Sequence, residues 1–200
     1  MAADRIRMAT TADAAAVLAI YAPVVRTSAI TFEYDVPPVD EIATRVRTVT
    51  ARFPWLVFAR DEDVVGYAYG TTWRTRAAYQ WAVETTLYVR DDCHRQGVGR
   101  SLYRSLLACL RLQGFRLAIG GITLPNAASV ALHEAMGFRA AGVHRRCGYK
   151  LAAWHDVGFW ELVLASDDAG DPPAPAMPDT LAGTSEWDAA LAVGVSRARR

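Results

Sequence analysis

Apolar residues along this chain switch between a period of two and a period near 3.6, and the switches mark the elements. Residues 5–9 (Arg-Ile-Arg-Met-Ala) alternate and predict a short strand. Thr10, Thr11 and Asp13 offer capping oxygens ahead of Val17, Leu18, Ile20, Tyr21 and Val24, which recur at helical spacing. The Pro37-Pro38 break precedes a second helical stretch over about 39–52. Residues 56–60 and 64–72 read as strands joined by the acidic turn Asp61-Glu62-Asp63, and 84–89 (Glu-Thr-Thr-Leu-Tyr-Val) is a third run of β-formers. After a polar loop, 97–112 carries Leu102, Leu106 and Leu110 on one helical face. A buried strand is predicted at 117–123, a short helix at 127–136 closed by Gly137, and two last strands near 139–144 and 157–164. The order β-α-α-β-β-β-α-β-α-β-β joins a hairpin-built half to a βαβ half, an α/β chain in the α+β sense.

Past Ala165 the pattern fades. Residues 167–178 hold four prolines with acids and a glycine, too little apolar surface to order themselves. Trp187, Leu191 and Val195 are spaced for a short helix, but short isolated helices are marginal in water. The expectation is one domain over residues 1–165 followed by a loose, disordered tail over 166–200.

Composition narrows the function classes. A chain of 200 residues, 52% hydrophobic and 22% charged, has the makeup of a globular domain. Its net charge of +1 gives no overall field towards nucleic acid or an anionic membrane, and neither partner is expected. No apolar run approaches the ~20 residues that span a bilayer, and the opening Met1-Ala2-Ala3-Asp4-Arg5 lacks a secretory core, so a cytoplasmic location is expected. Cys93, Cys109 and Cys147 are odd in number and lack CxxC spacing, and the histidines lack HExxH spacing; neither a disulfide framework nor a metal site is expected.

The chemistry concentrates in Cys93-His94-Arg95-Gln96-Gly97-Val98-Gly99-Arg100, where glycines open a helix after a strand. Unpaired N–H groups in a first helical turn bind phosphate oxygens, and Arg95 and Arg100 add positive charge. On these residues alone a plain turn is the simpler reading. Asn126 before a second short helix, and the pair Gly137-Phe138 after it, strengthen the ligand-binding one.

These residues resemble the GNAT superfamily, whose acyl-CoA signature is Q/R-x-x-G-x-G/A at the start of the helix after the central strand. His94 stands where that family usually has Gln or Arg. Further runs resemble its phosphinothricin N-acetyltransferase branch: Phe53-Pro54-Trp55-Leu56-Val57, Ala78-Tyr79-Gln80-Trp81, Leu124-Pro125-Asn126, His133-Glu134-Ala135-Met136 and Trp154-His155-Asp156-Val157-Gly158-Phe159-Trp160. The likeness covers about residues 5–164. It implies the GNAT fold, a mixed and mostly antiparallel twisted sheet with helices on both faces. It also implies a homodimer, acetyl-CoA as donor, and a small amino-acid-like amine as acceptor. Leu87, Tyr88, Val89, Arg95, Gln96, Gly97, Val98, Gly99, Arg100 and Asn126 would then hold acetyl-CoA.

An amine attacks a thioester only when neutral, so a base is needed. Glu84, opening the central strand, is the candidate, although a carboxylate at a strand end is also an ordinary surface feature. His133 falls where many GNAT enzymes carry an acidic tyrosine, and reads equally as that acid or as a packing residue. Trp73, Arg74, Arg76 and Tyr79 form a basic, aromatic loop suited to an acidic acceptor, or else a solvated loop making packing contacts. Phe32, Thr85 and Thr86 complete the candidate acceptor site. Trp154-His155-Asp156 lacks a GxSxG nucleophile, and no P-loop is present. Acetylation of protein N-termini, polyamines or aminoglycosides, or non-catalytic CoA binding, are the competing readings.

Overall fold

In the computed structural model, which describes residues 4–165 and 170–195, seven strands form one sheet. They are β1 (Arg5–Met8), β2 (Trp55–Arg60), β3 (Asp63–Thr72), β4 (Ala82–Val89), β5 (Leu117–Leu124), β6 (Arg139–Lys150) and β7 (Ala153–Val163), in the order β1-β2-β3-β4-β5-β7-β6. Every neighbouring pair is antiparallel except β4–β5, which the helix α3 (Val98–Gln113) connects. A parallel pair needs such a crossover, and the leucine stripe of α3 supplies its buried face. Leu102, Leu106 and Leu110 are fully buried there.

Alternation along the strands divides the core into two layers. On one side α1 (Ala14–Thr27) and α2 (Val39–Thr50) cover Trp55, Val57 and Tyr67. On the other, α3 and the segment after α4 (Ala127–Ala135) cover Phe58, Val83, Ala118 and Phe138. This is the mixed, mostly antiparallel sheet between helices that the resemblance implied.

The central feature is an opening. β4 and β5 pair only at Ala82↔Leu117, Val83↔Ala118 and Glu84↔Ile119. Beyond Glu84, β4 continues with β3 as far as Val89↔Gly66, and β5 with β7 as far as Leu124↔Asp156. The two middle strands therefore part from a point just after Glu84. Thr85 Oγ1 donates to the Ile119 carbonyl at 3.2 Å and closes that apex.

Two stretches differ from the sequence expectation. β6 and β7 are longer than predicted and meet at Leu151-Ala152, with φ of 51° and 60°. Such left-handed pairs normally announce themselves as Asn-Gly or Gly-Gly, so this hairpin carries no sequence signal. The second difference is the tail. Residues 166–169 and 196–200 lie outside the described residues, but 170–195 pack onto the domain rather than staying loose. Here α5 (Pro178–Leu181) and α6 (Ser185–Ala192) follow a chain running along the base of the sheet. Trp187 is 2% exposed and packs with Cys109, Ala108 and Leu112 of α3 and with Met8 of the edge strand β1. Ser105 Oγ donates to the Leu191 carbonyl at 2.7 Å and accepts from Gly194 N–H at 3.1 Å. The physical reason is that α3 carries a second apolar stripe, and the tail covers it.

Candidate active site

Glu84 occupies the apex of the opening, on the α1/α2 side of the sheet. Its neighbours across the sheet explain the room it has. A Cβ placed on Gly121 of β5 would lie 3.3 Å from Glu84 Oε1 and 3.6 Å from the ring of Phe159, so glycine leaves the carboxylate an open flank. Phe159 is the β7 partner of Gly121 and meets the edge of Trp73 at 5.6 Å between ring centres. Glu84, Gly121, Phe159 and Trp73 are thus linked by neighbouring contacts. Burial pushes the Glu84 carboxyl above its ordinary range, and among the described residues no cation or hydrogen-bond donor offsets it.

Alternation sorts the other β4 residues. Thr86 and Tyr88 share the face of Glu84, and Tyr88 meets Tyr21 edge-on at 5.2 Å. Thr85, Leu87 and Val89 face the opposite helices. Thr85 is buried and engaged at the apex, which removes it from the acceptor side where the sequence reading put it. Arg74 lies over the rings of Trp73 and Tyr79, at 5.2 and 5.9 Å, while Arg76 is exposed. Phe32 packs its ring over Gly148 of β6 and tilts against His155, so it belongs to a seam between the α1–α2 connector and the hairpin. Lys150 Nζ donates to the Thr31 carbonyl at 2.8 Å in the same seam.

At the open end of the strands stands the glycine loop. Gly97 caps α3 with φ +84°, and a Cβ there would meet nothing within 4 Å. Gly99 is different. A Cβ on it would lie 3.3 Å from Leu132 and 3.5 Å from Leu87, so its bareness lets α3 sit close to β4 and α4. Only Gly97 faces open space. Val98 is buried in the core and offers a ligand only its backbone, whereas Arg95 and Arg100 are exposed. Gln96 holds the loop, accepting from Arg60 Nη1 at 2.7 Å and donating to the Asp92 carbonyl at 2.7 Å. His94, in the position where the family has Gln or Arg, bonds the Val89 carbonyl at 2.9 Å through Nε2. Asn126 caps α4, its Oδ1 accepting from Ser129 N–H at 3.1 Å.

His133 is not at this site. It lies beneath the sheet on the α3/α4 side, 5% exposed, with Tyr103 Oη at 2.7 Å from Nε2 and the Ser129 carbonyl at 2.8 Å from Nδ1. Nδ1–H donates to the carbonyl, Nε2 accepts from the tyrosine, and burial pushes the imidazole pKa down. With both nitrogens engaged inside the fold and burial disfavouring the charged form, the ring is placed as a packing residue would be. Gly120 is bare because the His133 ring fills the space of its side chain. The unfolded chain takes up a proton as pH falls below about 6.5 while folded His133 does not, so stability is lost on acidification. His133→Gln should flatten the fall in Tm between pH 7 and 5. Its kcat per folded molecule should stay within about threefold of the parent's, against about a hundredfold for a lost acid.

Sequence reasoning missed Gly120 and Gly121, although paired glycines inside a strand pattern signal close approach from both faces. Among the described residues no group of three or more His, Cys, Asp or Glu could hold a metal ion, and no helix is long and apolar enough to cross a membrane.

Residues 6–158 match the family model described as an acetyltransferase (GNAT) domain. A phosphinothricin N-acetyltransferase of Streptomyces viridochromogenes is 41% identical over 88% of this chain and 94% of its own length. An L-methionine sulfoximine/L-methionine sulfone acetyltransferase of Pseudomonas paraeruginosa is 37% identical over 80% and 94%. The crystal structure of a phosphinothricin acetyltransferase from Sinorhizobium meliloti in complex with AcCoA superposes with a TM-score of 0.82 at 32% identity, covering 88% of this chain and 97% of that one. With this extent of likeness, and with the opening and glycine loop that it carries, the chain belongs to the GNAT acetyltransferase family.

Proposed function

We propose that the chain transfers the acetyl group of acetyl-CoA to the α-amine of a small amino-acid-like acceptor of the phosphinothricin, methionine sulfone or methionine sulfoximine type. The observation that carries this reading is Glu84, a half-buried carboxylate with no cation partner among the described residues, beside an open flank at the point where β4 and β5 part. The relatives' acceptors are amino acids with an oxidised sulfur or phosphorus in the side chain, and Arg74 and Arg76 offer donors for such a group.

Acetyl-CoA supplies an activated thioester carbonyl. The first-turn N–H groups after Gly97, with Arg95 and Arg100 beside them, suit its phosphates. The parted strands leave room between Leu87–Val89 and the end of β5 for the arm that carries the thioester. Glu84 receives the amine proton. A peptide α-amine titrates near ~7.7–8.0 and the α-amine of a free amino acid higher still, so the acceptor arrives protonated, and a carboxylate raised by burial is better matched to its proton than an ordinary one. Direct attack needs no covalent intermediate on the protein, and Cys93 is buried. The same reading takes the chain as a homodimer, supported by the apolar Tyr149, Leu151 and Trp154 exposed around the hairpin tip.

CoA release measured over a panel of free amino acids with their sulfone, sulfoximine and phosphinic analogues tests the proposal. Turnover of the analogues is expected; turnover confined to polyamines or peptide N-termini would overturn it. Gly97→Val should weaken acetyl-CoA binding about tenfold or more, by straining a left-handed position and filling the open space. Calorimetry showing unchanged affinity in the folded variant would remove Gly97 from the cofactor site.

A further inference from the structure

The connector between α1 and α2, residues 28–38, holds neither helix nor strand, yet it is tied on both sides of the opening. On the β4 side, Thr31 Oγ1 lies 2.7 Å from Tyr21 Oη, and the Tyr21 ring rests on Tyr88 of β4. Glu33 adds an ion pair to Arg45 of α2 at 2.6 Å. On the other side the connector meets the β6–β7 hairpin. Lys150 Nζ donates to the Thr31 carbonyl at 2.8 Å, and Tyr34 Oη donates to the Tyr149 carbonyl at 2.5 Å. The Phe32 ring fills the space above Gly148. This part of the hairpin lies beyond Leu124↔Asp156, the last pair of β5 with β7. The connector thus bridges the wide end of the gap between β4 and β5, on the face that carries Glu84.

Lys150 is the costly member of this bridge. It is 3% exposed, and among the described residues it makes no ion pair. Burial pushes its ammonium pKa down, and Glu33, already engaged with Arg45, restores it only in part. A buried charge without a counter-ion costs stability, and an apolar side chain of similar length would avoid that cost. What the ammonium supplies, and an apolar chain cannot, is the bond to Thr31, which joins segments 119 residues apart.

We infer that Lys150 is a positioning residue for the acceptor, holding the connector across the gap so that the connector forms the far wall of the acceptor site. The inference rests on the acceptor amine sitting at Glu84. Tyr88 stands four residues beyond Glu84 on the same face of β4, roughly 14 Å away at about 3.4 Å per residue. The bridge anchored at Tyr88 therefore faces the base across a span that takes one amino acid with its side chain extended. Lys150 acts through the connector, not through contact with a reactant. The acceptor binds the bridged state, and cutting the tie lowers the share of molecules in that state. Apparent acceptor affinity falls with that share, whereas kcat, read with the acceptor bound and the bridge drawn in, does not.

The test is steady-state kinetics with L-methionine sulfone and acetyl-CoA on the parent, Lys150→Met, Lys150→Arg and Tyr34→Phe, with Tm measured on each. Lys150→Met should raise the acceptor KM about tenfold, the worth of one hydrogen bond from a charged donor, while kcat and the acetyl-CoA KM stay within about twofold. Its Tm should match the parent's, which separates the effect from a loss of fold. Lys150→Arg restores a charged donor and should recover part of the KM. Tyr34→Phe cuts the neighbouring tie at an exposed ring and should raise the acceptor KM about threefold. An unchanged acceptor KM in Lys150→Met, or a fall in kcat with KM unmoved, would overturn the proposal. Should Lys150→Met not fold, Lys150→Arg and Tyr34→Phe decide by the same split of KM from kcat. If the parent acetylates no amino acid, the acceptor reading fails on that result, and amide exchange over residues 30–34 decides the bridge. Exchange about tenfold faster in Lys150→Met keeps the tie, and equal exchange removes it.

Discussion

Glu84→Gln is expected to lower kcat by about 10²–10⁴-fold, the range for loss of a general base, with acetyl-CoA affinity little changed. The carboxylate sits at the apex, away from the glycine loop, so the two effects separate. The same substitution should not destabilise the protein at neutral pH. Burial raises the folded-state pKa of Glu84, so folding favours its neutral form. The stability tied to that preference is complete below the ordinary carboxylate value of about 4.3 and is lost as pH rises through the raised folded value. At pH 8 the parent therefore carries an uncompensated buried charge that glutamine lacks. The Tm of Glu84→Gln should equal or exceed the parent's at pH 8, and the difference should shrink near pH 4. In the parent, kcat/KM should fall on the acid side as Glu84 becomes protonated, at a pH above that of a free glutamate. A variant with near-parental turnover between pH 6 and 9 would take the base role away from this residue.

Trp187→Ala should produce the largest loss of stability among single changes in the tail. The indole is 2% exposed against the outer stripe of α3. Truncating a buried tryptophan costs about 3–5 kcal/mol, which for a chain of this size lowers Tm by roughly 10 °C. A chain ending at Ala165 should lose at least as much. It also forfeits Gln113 Nε2 to the Ala176 carbonyl at 2.6 Å and Trp81 Nε1 to the Pro173 carbonyl at 2.7 Å. The Trp81 contact stands one residue before β4, so turnover measured below the lowered Tm is expected to fall as well. Thermal melts of parent, variant and shortened chain decide the matter. Equal Tm values would return the segment to the loose tail that its prolines suggest.

What could be read from the sequence was what repeats over many residues. The leucine stripe of α3 named both its helix and its buried face, and the β-formers of 84–89 named the central strand. The glycine loop was legible because its spacing is itself the signal. What stayed hidden depends on partners distant in sequence. Thr85 and Thr86 are adjacent and chemically alike, yet one closes the apex and the other faces the acceptor side, a distinction set by pairing with Gly70 and Tyr69. His133 read equally as an acid or as a packing residue from its helix position, and Tyr103, thirty residues earlier in the chain, lies against its Nε2. The tail misled through composition. Its prolines forbid a regular element over 172–177, but the surface that α6 covers belongs to α3, and Cys109 and Leu112 gave no hint of which residues would meet them.

The seat of Trp187 has a consequence for thiol chemistry. Cys109 lies directly beneath that indole, and burial pushes its thiol up to about 12. Only the thiolate reacts with alkylating reagents, so in the closed molecule Cys109 is inert, while Cys147 on the edge strand β6 is exposed. Alkylation of Cys109 must wait for the tail to lift. The ratio of its labelling rate to that of Cys147 then measures how often the tail detaches, in the way that amide exchange reports local opening.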